Sequence, residues 1–391
     1  MHNTFKTELI KKHPCLAARV TKITTPHGEI QTPAFMPVAT RAFVNTLTPA
    51  DLIKTGSQII LGGNTYHMLC TPGMQLMQDV GGMHRFMSWD KPMLTDSGGF
   101  QIFSLSKKGN LCKIDDIGGH FKHPNTGQVI HLTPATSINA QKIIGADIIM
   151  AFDECTPEAG GREAALAALE RTHRWLQESI ALHEKNPHSV YGLRQALFGI
   201  IQGGRFLDLR EQSTQVILDA NLDGIAIGGE IIGFDMQKTV AVIDWIRPML
   251  PENKTRYTMG VGLNPQDLID VVAQGIDIFD CVGPTRNARH GTLYCGKIVK
   301  KDHWLAFVGD EDQGQSKILI KKTLFARDEK PIMEDCECFT CKNFTRAYLH
   351  YLFKQQAMIY FNLACIHNIH VMQKVCEVMR KLILGEKERI T

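Results

Sequence analysis

The run Gly275-Ile276-Asp277-Ile278-Phe279-Asp280 ends in a carboxylate, and the Gly283-Pro284 turn, Arg286 and Arg289 follow it. A buried strand that delivers Asp280 to a cationic rim suits a nucleophile acting on a phosphate-bearing substrate. An isolated aspartate a few residues before a Gly-Pro turn also serves simply as a turn residue, so the company it keeps decides its role. A second signal is Cys336-Glu337-Cys338-Phe339-Thr340-Cys341. Three thiolates in a six-residue loop can converge on one ion, and tetrahedral zinc then needs one more ligand, for which Cys365, His350, His367 and His370 stand nearby in the chain. Four protein ligands leave no open coordination position, so such a zinc is structural and supplies folding energy to a segment with little core of its own.

The elements that must position these groups are legible as strand-length apolar runs. Eight occur: Ala34 to Val38, Gln58 to Leu61, Met93 to Thr95, Ile148 to Phe152, Leu197 to Ile201, Ile225 to Ile227, Tyr257 to Met259 and Ile276 to Phe279. All but the third lead fairly directly into helix-like sequence. Thr48-Pro49 and Thr133-Pro134 combine an N-cap with proline at the first helical position, and Pro265 opens the helix before the last run. Between Gly161 and Glu184, Leu166, Leu169, Leu176 and Ile180 share one face of a helix. Continuous apolar strands alternating with amphipathic helices imply a parallel sheet buried on both faces, and eight units fit an α/β fold of the (β/α)8 TIM barrel kind. A doubly wound open sheet is the alternative, but the first strand is not followed by the dinucleotide-type glycine fingerprint.

The connection from Ser104 to Leu132 is long and carries a hairpin-like Asn125-Thr126-Gly127, so a small sheet or a functional loop is expected there. Residues 292 to 326 alternate as antiparallel strands do, and helices are expected from about Asn343 to Gly385. The expected organisation is a barrel over 1-290 with a short N-terminal β segment, a zinc-binding subdomain inserted near the C-terminus over 291-367, and a C-terminal helix over 368-391 returning to the barrel.

In a barrel the carboxyl ends of the strands share one mouth. Those ends carry Asn64, Asp96-Ser97-Gly98-Gly99-Phe100-Gln101, Asp153-Glu154-Cys155, Gln202-Gly203-Gly204, Gly228-Gly229-Glu230, Met259-Gly260-Val261-Gly262 and Asp280. Three aspartates, an amide, glycine backbone and two stacking groups, Phe100 and Met259, suit a flat hydrogen-bonding ring such as a purine. Three carboxylates at one rim repel one another, which substrate or function has to offset.

These motifs, in this order, resemble the tRNA-guanine transglycosylase family, bacterial and eukaryotic type, over about residues 18 to 380. The resemblance is carried by Asp96 to Gln101, Phe152-Asp153-Glu154-Cys155-Thr156-Pro157, Ile201-Gln202-Gly203-Gly204, Met259 to Gly262, Phe279 to Val282 with Pro284-Thr285-Arg286, and the three cysteines. It implies a (β/α)8 barrel with a structural zinc, one per chain, and Cys365-Ile366-His367-Asn368 matches the pattern that holds the zinc histidine, His367. It implies exchange of guanine for a 7-deazaguanine base (7-aminomethyl-7-deazaguanine or queuine) at the wobble position of tRNAs with a GUN anticodon, by double displacement, in queuosine modification. Asp280 would be the nucleophile and Asp96 the general acid/base. Ser97, Phe100, Asp153, Cys155, Gln202, Gly229, Glu230 and Met259 would bind the base, Arg286 and Arg289 the anticodon loop, and the enzyme would act as a homodimer.

One stretch departs from the family pattern. After Gly228-Gly229 the family has a small apolar stretch ending in Gly-Glu, where this chain has Glu230-Ile231-Ile232-Gly233-Phe234. A carboxylate expected at 234 is replaced by Phe234, Glu230 offers one four positions earlier, and Ile232 should crowd a large substituent. The base admitted is therefore not fixed by the pattern. Gly283 and Gly62-Gly63 are lesser departures.

Composition bounds the remaining alternatives. With 44% hydrophobic and 21% charged residues the chain is of the soluble globular class, and no apolar run has bilayer-spanning length. No secretory signal is expected at the N-terminus, so a cytoplasmic, reducing compartment is expected. There eleven cysteines read as thiols and ligands, not a disulfide framework. Net charge is only +3, yet Pro284 to Lys330 holds ten Lys or Arg against six Asp or Glu, an excess of +4 that leaves the rest at −1. That local excess is what an electrostatic footprint for phosphate would give, although a solvated charged face is the commoner source of such an excess. A catalytically silent tRNA-binding subunit of the same family is the rival reading, set against the retention of Asp96, Asp153 and Asp280.

Overall fold

The computed structural model describes residues 3–108, 111–309 and 316–386. Parallel strands Ile60–Asn64, Met93–Asp96, Ile148–Met150, Ala196–Ile201, Gly224–Ile227, Thr255–Thr258 and Ile278–Asp280 follow one another in space as they do in sequence. The first barrel strand is in two pieces, Ala34–Met36 and Val38–Ala39. The first piece pairs with the eighth strand and the second with the second strand, which closes the barrel. Pro37 stands between them, lacking an N–H to give but accepting Leu61 N through its carbonyl at 3.1 Å.

All eight expected strands are present within a few residues, and the helix signals at Thr48, Thr133 and Pro265 mark real N-termini. The third strand departs from expectation, because helix Gly99–Lys107 comes directly after it. Its start has neither a side-chain cap nor proline, only Gly98 at φ +92°, so Ser97-Gly98-Gly99 reads locally as a turn. Beyond that helix the long connection forms a small antiparallel sheet of Cys112–Ile114, Gly119–Lys122 and Val129–Leu132, with Asn125-Thr126-Gly127 in the last turn.

Two apolar layers result. Inside the barrel, Ala34, Met36, Leu94, Met150, Phe198, Ile200, Ala226, Tyr257 and Ile278 pack together, and Phe5 meets Phe198 edge-on at 5.8 Å. Outside, the opposite strand faces pack against the helices, as a two-sided parallel sheet requires. The amino-terminal sheet of Lys6–Lys12, Arg19–Thr25 and Gly28–Gln31 is tied to the barrel through Arg19, buried against Asp277 at 2.5 Å.

After the eighth strand, Thr292–Tyr294 pairs with Lys317–Leu319 and Gly296–Lys301 with Trp304–Gly309. Residues 310–315 of the expected alternating stretch, and 387–391 of the expected terminal helix, lie outside the described residues. Helices Phe339–Asn343, Arg346–Lys354 and Met358–Leu384 complete the chain. The expected division at 367/368 falls inside the last of these helices, which runs unbroken from the cysteine cluster to the barrel. Among the described residues no helix is long and apolar enough to cross a membrane.

Candidate active site at the barrel mouth

Asp280 is the last residue of its strand and is buried. Its Oδ1 accepts Tyr257 Oη–H at 2.6 Å and Gly260 N–H at 3.2 Å. Loss of hydration raises its pKa to about 6, against the lowering effect of those two donors, and the nearby charge of Asp96 adds to the rise. Asp96 closes the third strand, where Asn64 Nδ2 donates to Oδ2 at 2.6 Å and Gly98 N–H to Oδ1 at 3.3 Å. Burial raises its pKa too, with these donors opposing.

The neighbouring wall is continuous with Asp96. Ser97 Oγ donates to Asp153 Oδ1 at 2.9 Å and Gln202 Nε2 to Asp153 Oδ2 at 2.8 Å. Asp153 is pushed up to about 7, first by burial and then by Asp96 and Glu154, while the two donors oppose. Thr156 N–H donates to Gln202 Oε1 at 3.2 Å and Thr156 Oγ1 accepts Gly203 N–H at 3.2 Å, so the amide's orientation is fixed. A Cβ placed on Gly228 would lie 2.9 Å from Gln202 Nε2 and 3.4 Å from Met259 Sδ, which puts the end of the sixth strand against both. Cys155 is buried and feels the charges of Asp153, Glu230, Arg210 and Lys107, and burial first of all raises its thiol well above the ordinary value.

The structure therefore brings Asp96, Asp280, Ser97, Asp153, Gln202, Gly228-Gly229 and Met259 to one mouth. Phe100 lies just past Gly99 at its rim, 41% exposed. Arg286 and Arg289 lie on the short helix Gly283–Arg289 directly after Asp280, with Arg286 exposed and Arg289 Nε bonded to Thr285 O at 3.2 Å. Glu230 is already engaged: Lys107 Nζ donates to its two oxygens at 2.6 and 2.7 Å, and Glu158 N–H to Oε2 at 2.7 Å. Phe234 points away from any core at 81% exposure, whereas Ile231 and Ile232 are buried. The lesser departures have a steric reason. A Cβ on Gly283 would strike Leu263 Cα at 2.9 Å, and one on Gly62 would strike the Met93 side chain at 2.6 Å.

Three functional positions escape sequence reasoning. Tyr257, the donor to Asp280, lies at the start of an apolar run and reads there as strand core. Arg210 is fully buried: its Nε donates to Gly204 O at 2.8 Å, and its Nη1 to Ile201 O at 2.9 Å and Gly228 O at 2.8 Å. It ties the ends of the fifth and sixth strands together, and burial lowers its pKa to about 9. Lys107 closes a helix that the sequence does not announce. A guanidinium on the buried face of helix Leu207–Asp219 is the signal that could have drawn attention to Arg210.

The cysteine cluster gathers around one imidazole. His367 Nδ1 lies 3.8, 3.5 and 3.3 Å from the Sγ atoms of Cys336, Cys338 and Cys341. His367 Nε2 is 2.7 Å from Tyr294 O, which it serves as donor, so Nδ1 presents its lone pair to the sulfurs. Hydrogen bonds from its neighbours pull the Cys338 thiol far down. Of the other three fourth-ligand candidates, His350 bonds Ile320 O and Cys365 bonds Thr285 O. His370 is outside the group. Cys336, Cys338, Cys341 and His367 can hold a metal ion, since each offers one ligand atom and all lie within 4.8 Å of one another.

Fold and mouth together define an α/β barrel that carries the carboxyl groups of Asp96, Asp153 and Asp280 at or just past the carboxyl ends of its strands. The family model described as queuine tRNA-ribosyltransferase matches residues 15–388. The chain is 44% identical over 363 residues to the queuine tRNA-ribosyltransferase of Synechococcus elongatus, covering 93% of this chain and 87% of the relative. It is 41% identical over 382 residues to that of Desulforamulus reducens, covering 98% and 95%, and 41% identical over 378 to that of Enterococcus faecalis, covering 97% and 92%. The chain belongs to the tRNA-guanine transglycosylase, or queuine tRNA-ribosyltransferase, family and is an enzyme of its pentosyltransferase class.

Proposed function

We propose that the enzyme exchanges guanine at the wobble position of tRNAs with a GUN anticodon for a 7-deazaguanine base, 7-aminomethyl-7-deazaguanine or queuine, in queuosine modification. The observation that carries this is the pair Asp96 and Asp280, set at the mouth within reach of each other's charge and both raised in pKa. An Asp280 near 6 is ionised at neutral pH and able to attack. Oδ1 is held by Tyr257 and Gly260, which favours Oδ2 as the attacking oxygen.

Asp280 forms a bond to the ribose anomeric carbon while the glycosidic bond breaks, its electron pair leaving with guanine. Asp96, whose burial favours the protonated form, gives that leaving base its proton. The incoming base returns a proton to Asp96 and displaces Asp280, which balances the second half. This is the two-carboxylate logic of retaining glycoside transfer. Asp153, Gln202, Ser97, the Gly229 amide and Glu230 would read the base beside Cys155, with Phe100 and Met259 stacking on it. Arg286 and Arg289 would grip phosphates of a splayed anticodon loop.

Zinc fits the three thiolates and Nδ1 of His367, and there it would bind the cysteine loop to the terminal helix as structure, not catalysis. A homodimer is supported by the apolar surface of the C-terminal helices, where Phe339, Tyr348, Tyr351, Met358 and Ile359 are exposed. The cytoplasm, where tRNA is modified, is the proposed place of action.

The test is adduct trapping. Wild type incubated with a GUN-anticodon tRNA should give a protein–tRNA species that survives denaturant, and Asp280→Ala should give none while still binding that tRNA. An adduct persisting in Asp280→Ala would refute the nucleophile.

A further inference from the structure

Glu230 stands one residue beyond Gly228-Gly229, whose backbone adjoins Gln202 and Met259 at the barrel mouth. It is the one carboxylate within the departing stretch Glu230 to Phe234, and Phe234 is turned out to solvent. It is partly exposed, and it lies close enough to the buried Cys155 thiol for its charge and that of Lys107 to act there. Its backbone is joined to Gln202 through Thr156, with Glu230 N–H on Thr156 O at 3.3 Å and Thr156 N–H on Gln202 Oε1.

Glu230 is nonetheless saturated from within the protein. Lys107, reaching across from the end of helix Gly99–Lys107, takes both oxygens at 2.6 and 2.7 Å, and Glu158 N–H takes Oε2 again. Lys107 is itself steadied over the Phe103 ring, 4.5 Å from its centroid. Three loops, from the third, fourth and sixth strands, thus meet in one ion pair. The groups facing it are Glu158, which Lys238 pairs at 2.8 Å, and the Cys155 thiol.

We propose that Lys107 is a specificity-determining residue: it occupies Glu230 as an internal counter-ion and so sets how strongly the pocket accepts a base whose 7-substituent carries an ammonium group. The proposal rests on the base-exchange reading above. A cationic substituent entering beside Gly229 must displace Lys107 from Glu230 or sit beside it, and a like charge at that range weakens binding. Guanine, which carries no such group, meets neither effect. Discrimination by an internal charge, not by shape, is the repulsive element that specificity commonly requires.

The experiment measures, in wild type, Lys107→Met, Lys107→Arg and Glu230→Gln, the ratio of kcat/KM for 7-aminomethyl-7-deazaguanine to kcat/KM for guanine on one tRNA. Dissociation constants of the two free bases are measured in parallel by titration. Met keeps the aliphatic stem over Phe103 and removes the charge. Lys107→Met should raise the ratio about fivefold or more, a charge effect at a half-exposed site. Lys107→Arg should hold the wild-type ratio, and Glu230→Gln should lower it by a similar factor. A ratio within twofold of wild type in Lys107→Met, or a fall, would overturn the proposal, and the free-base constants decide the same question if turnover is lost. Absence of guanine exchange in wild type would instead overturn the base-exchange reading, so the two failures are distinct.

Discussion

Replacing Asp280 by Asn should abolish covalent chemistry and at the same time stabilise the protein at alkaline pH. The carboxyl sits at about 6 in the folded chain against an ordinary 3.8, chiefly because its ionised form is stripped of water. A folded pKa above the unfolded one means that the native state binds the proton more tightly between those values. Stability therefore falls as pH rises from about 4 through 6, and the full cost is present above that window. At about 1.4 kcal/mol for each tenfold in proton affinity, the gap corresponds to about 3 kcal/mol, an upper figure because Asp96 shares the same field. Asn keeps the volume, and its Oδ1 still accepts from Tyr257 and Gly260, so the charge is the main thing removed. Thermal unfolding followed from pH 4 to 8.5 should show the variant melting higher than wild type at pH 8, the difference closing toward pH 4. In a chain of this size 3 kcal/mol corresponds to several degrees. Equal melting temperatures at pH 8, or a variant less stable throughout, would refute the claim that this carboxylate is held ionised at the expense of the fold.

Tyr257→Phe removes a hydrogen bond that favours ionised Asp280 while keeping the buried ring. The acidic limb of kcat/KM for guanine exchange should move upward by about one pH unit, with little change on the alkaline side, and an unmoved limb would show that Asp280 ionisation does not set it. Cys338→Ala should lose the zinc, about one per chain in wild type by elemental analysis, and melt well below wild type because three ligands hold a folding metal poorly. Arg210→Met strands the carbonyls of Gly204 and Gly228, while Ile201 O keeps the Gly228 N–H at 3.1 Å. At about 1 kcal/mol or more for each buried acceptor left unpaired, it should destabilise the chain by about 2 kcal/mol and raise KM for the base, as melting curves and steady-state kinetics would report.

Much of the barrel is legible without coordinates because a parallel strand buried on both faces needs an unbroken apolar run, and a helix entering from it needs a cap. Ile148–Met150 and Thr133-Pro134 meet those local requirements. Helix Gly99–Lys107 is hidden for the converse reason: Ser97-Gly98-Gly99 has the composition of a turn, and only the packing of Ile102 and Phe103 makes the segment through Lys107 a helix. The broken first strand is likewise settled by its two different neighbours, one on each side of Pro37.

By itself the sequence determined that Asp96, Asp153 and Asp280 lie at or just past strand ends, that three cysteines share one short loop, and that Arg286 and Arg289 follow Asp280, since these are matters of spacing. Only the tertiary structure separated the two aspartates of the eighth run: Asp277 is buried against Arg19 at the barrel's foot while Asp280 opens at its mouth. Only it brought His367 within 3.8 Å of all three cysteine sulfurs and paired Lys107 with Glu230 across 123 residues. Hydration, charge and hydrogen bonding act through distances in space, so the pKa of Asp280 and the occupant of Glu230 are decided by residues remote in the chain.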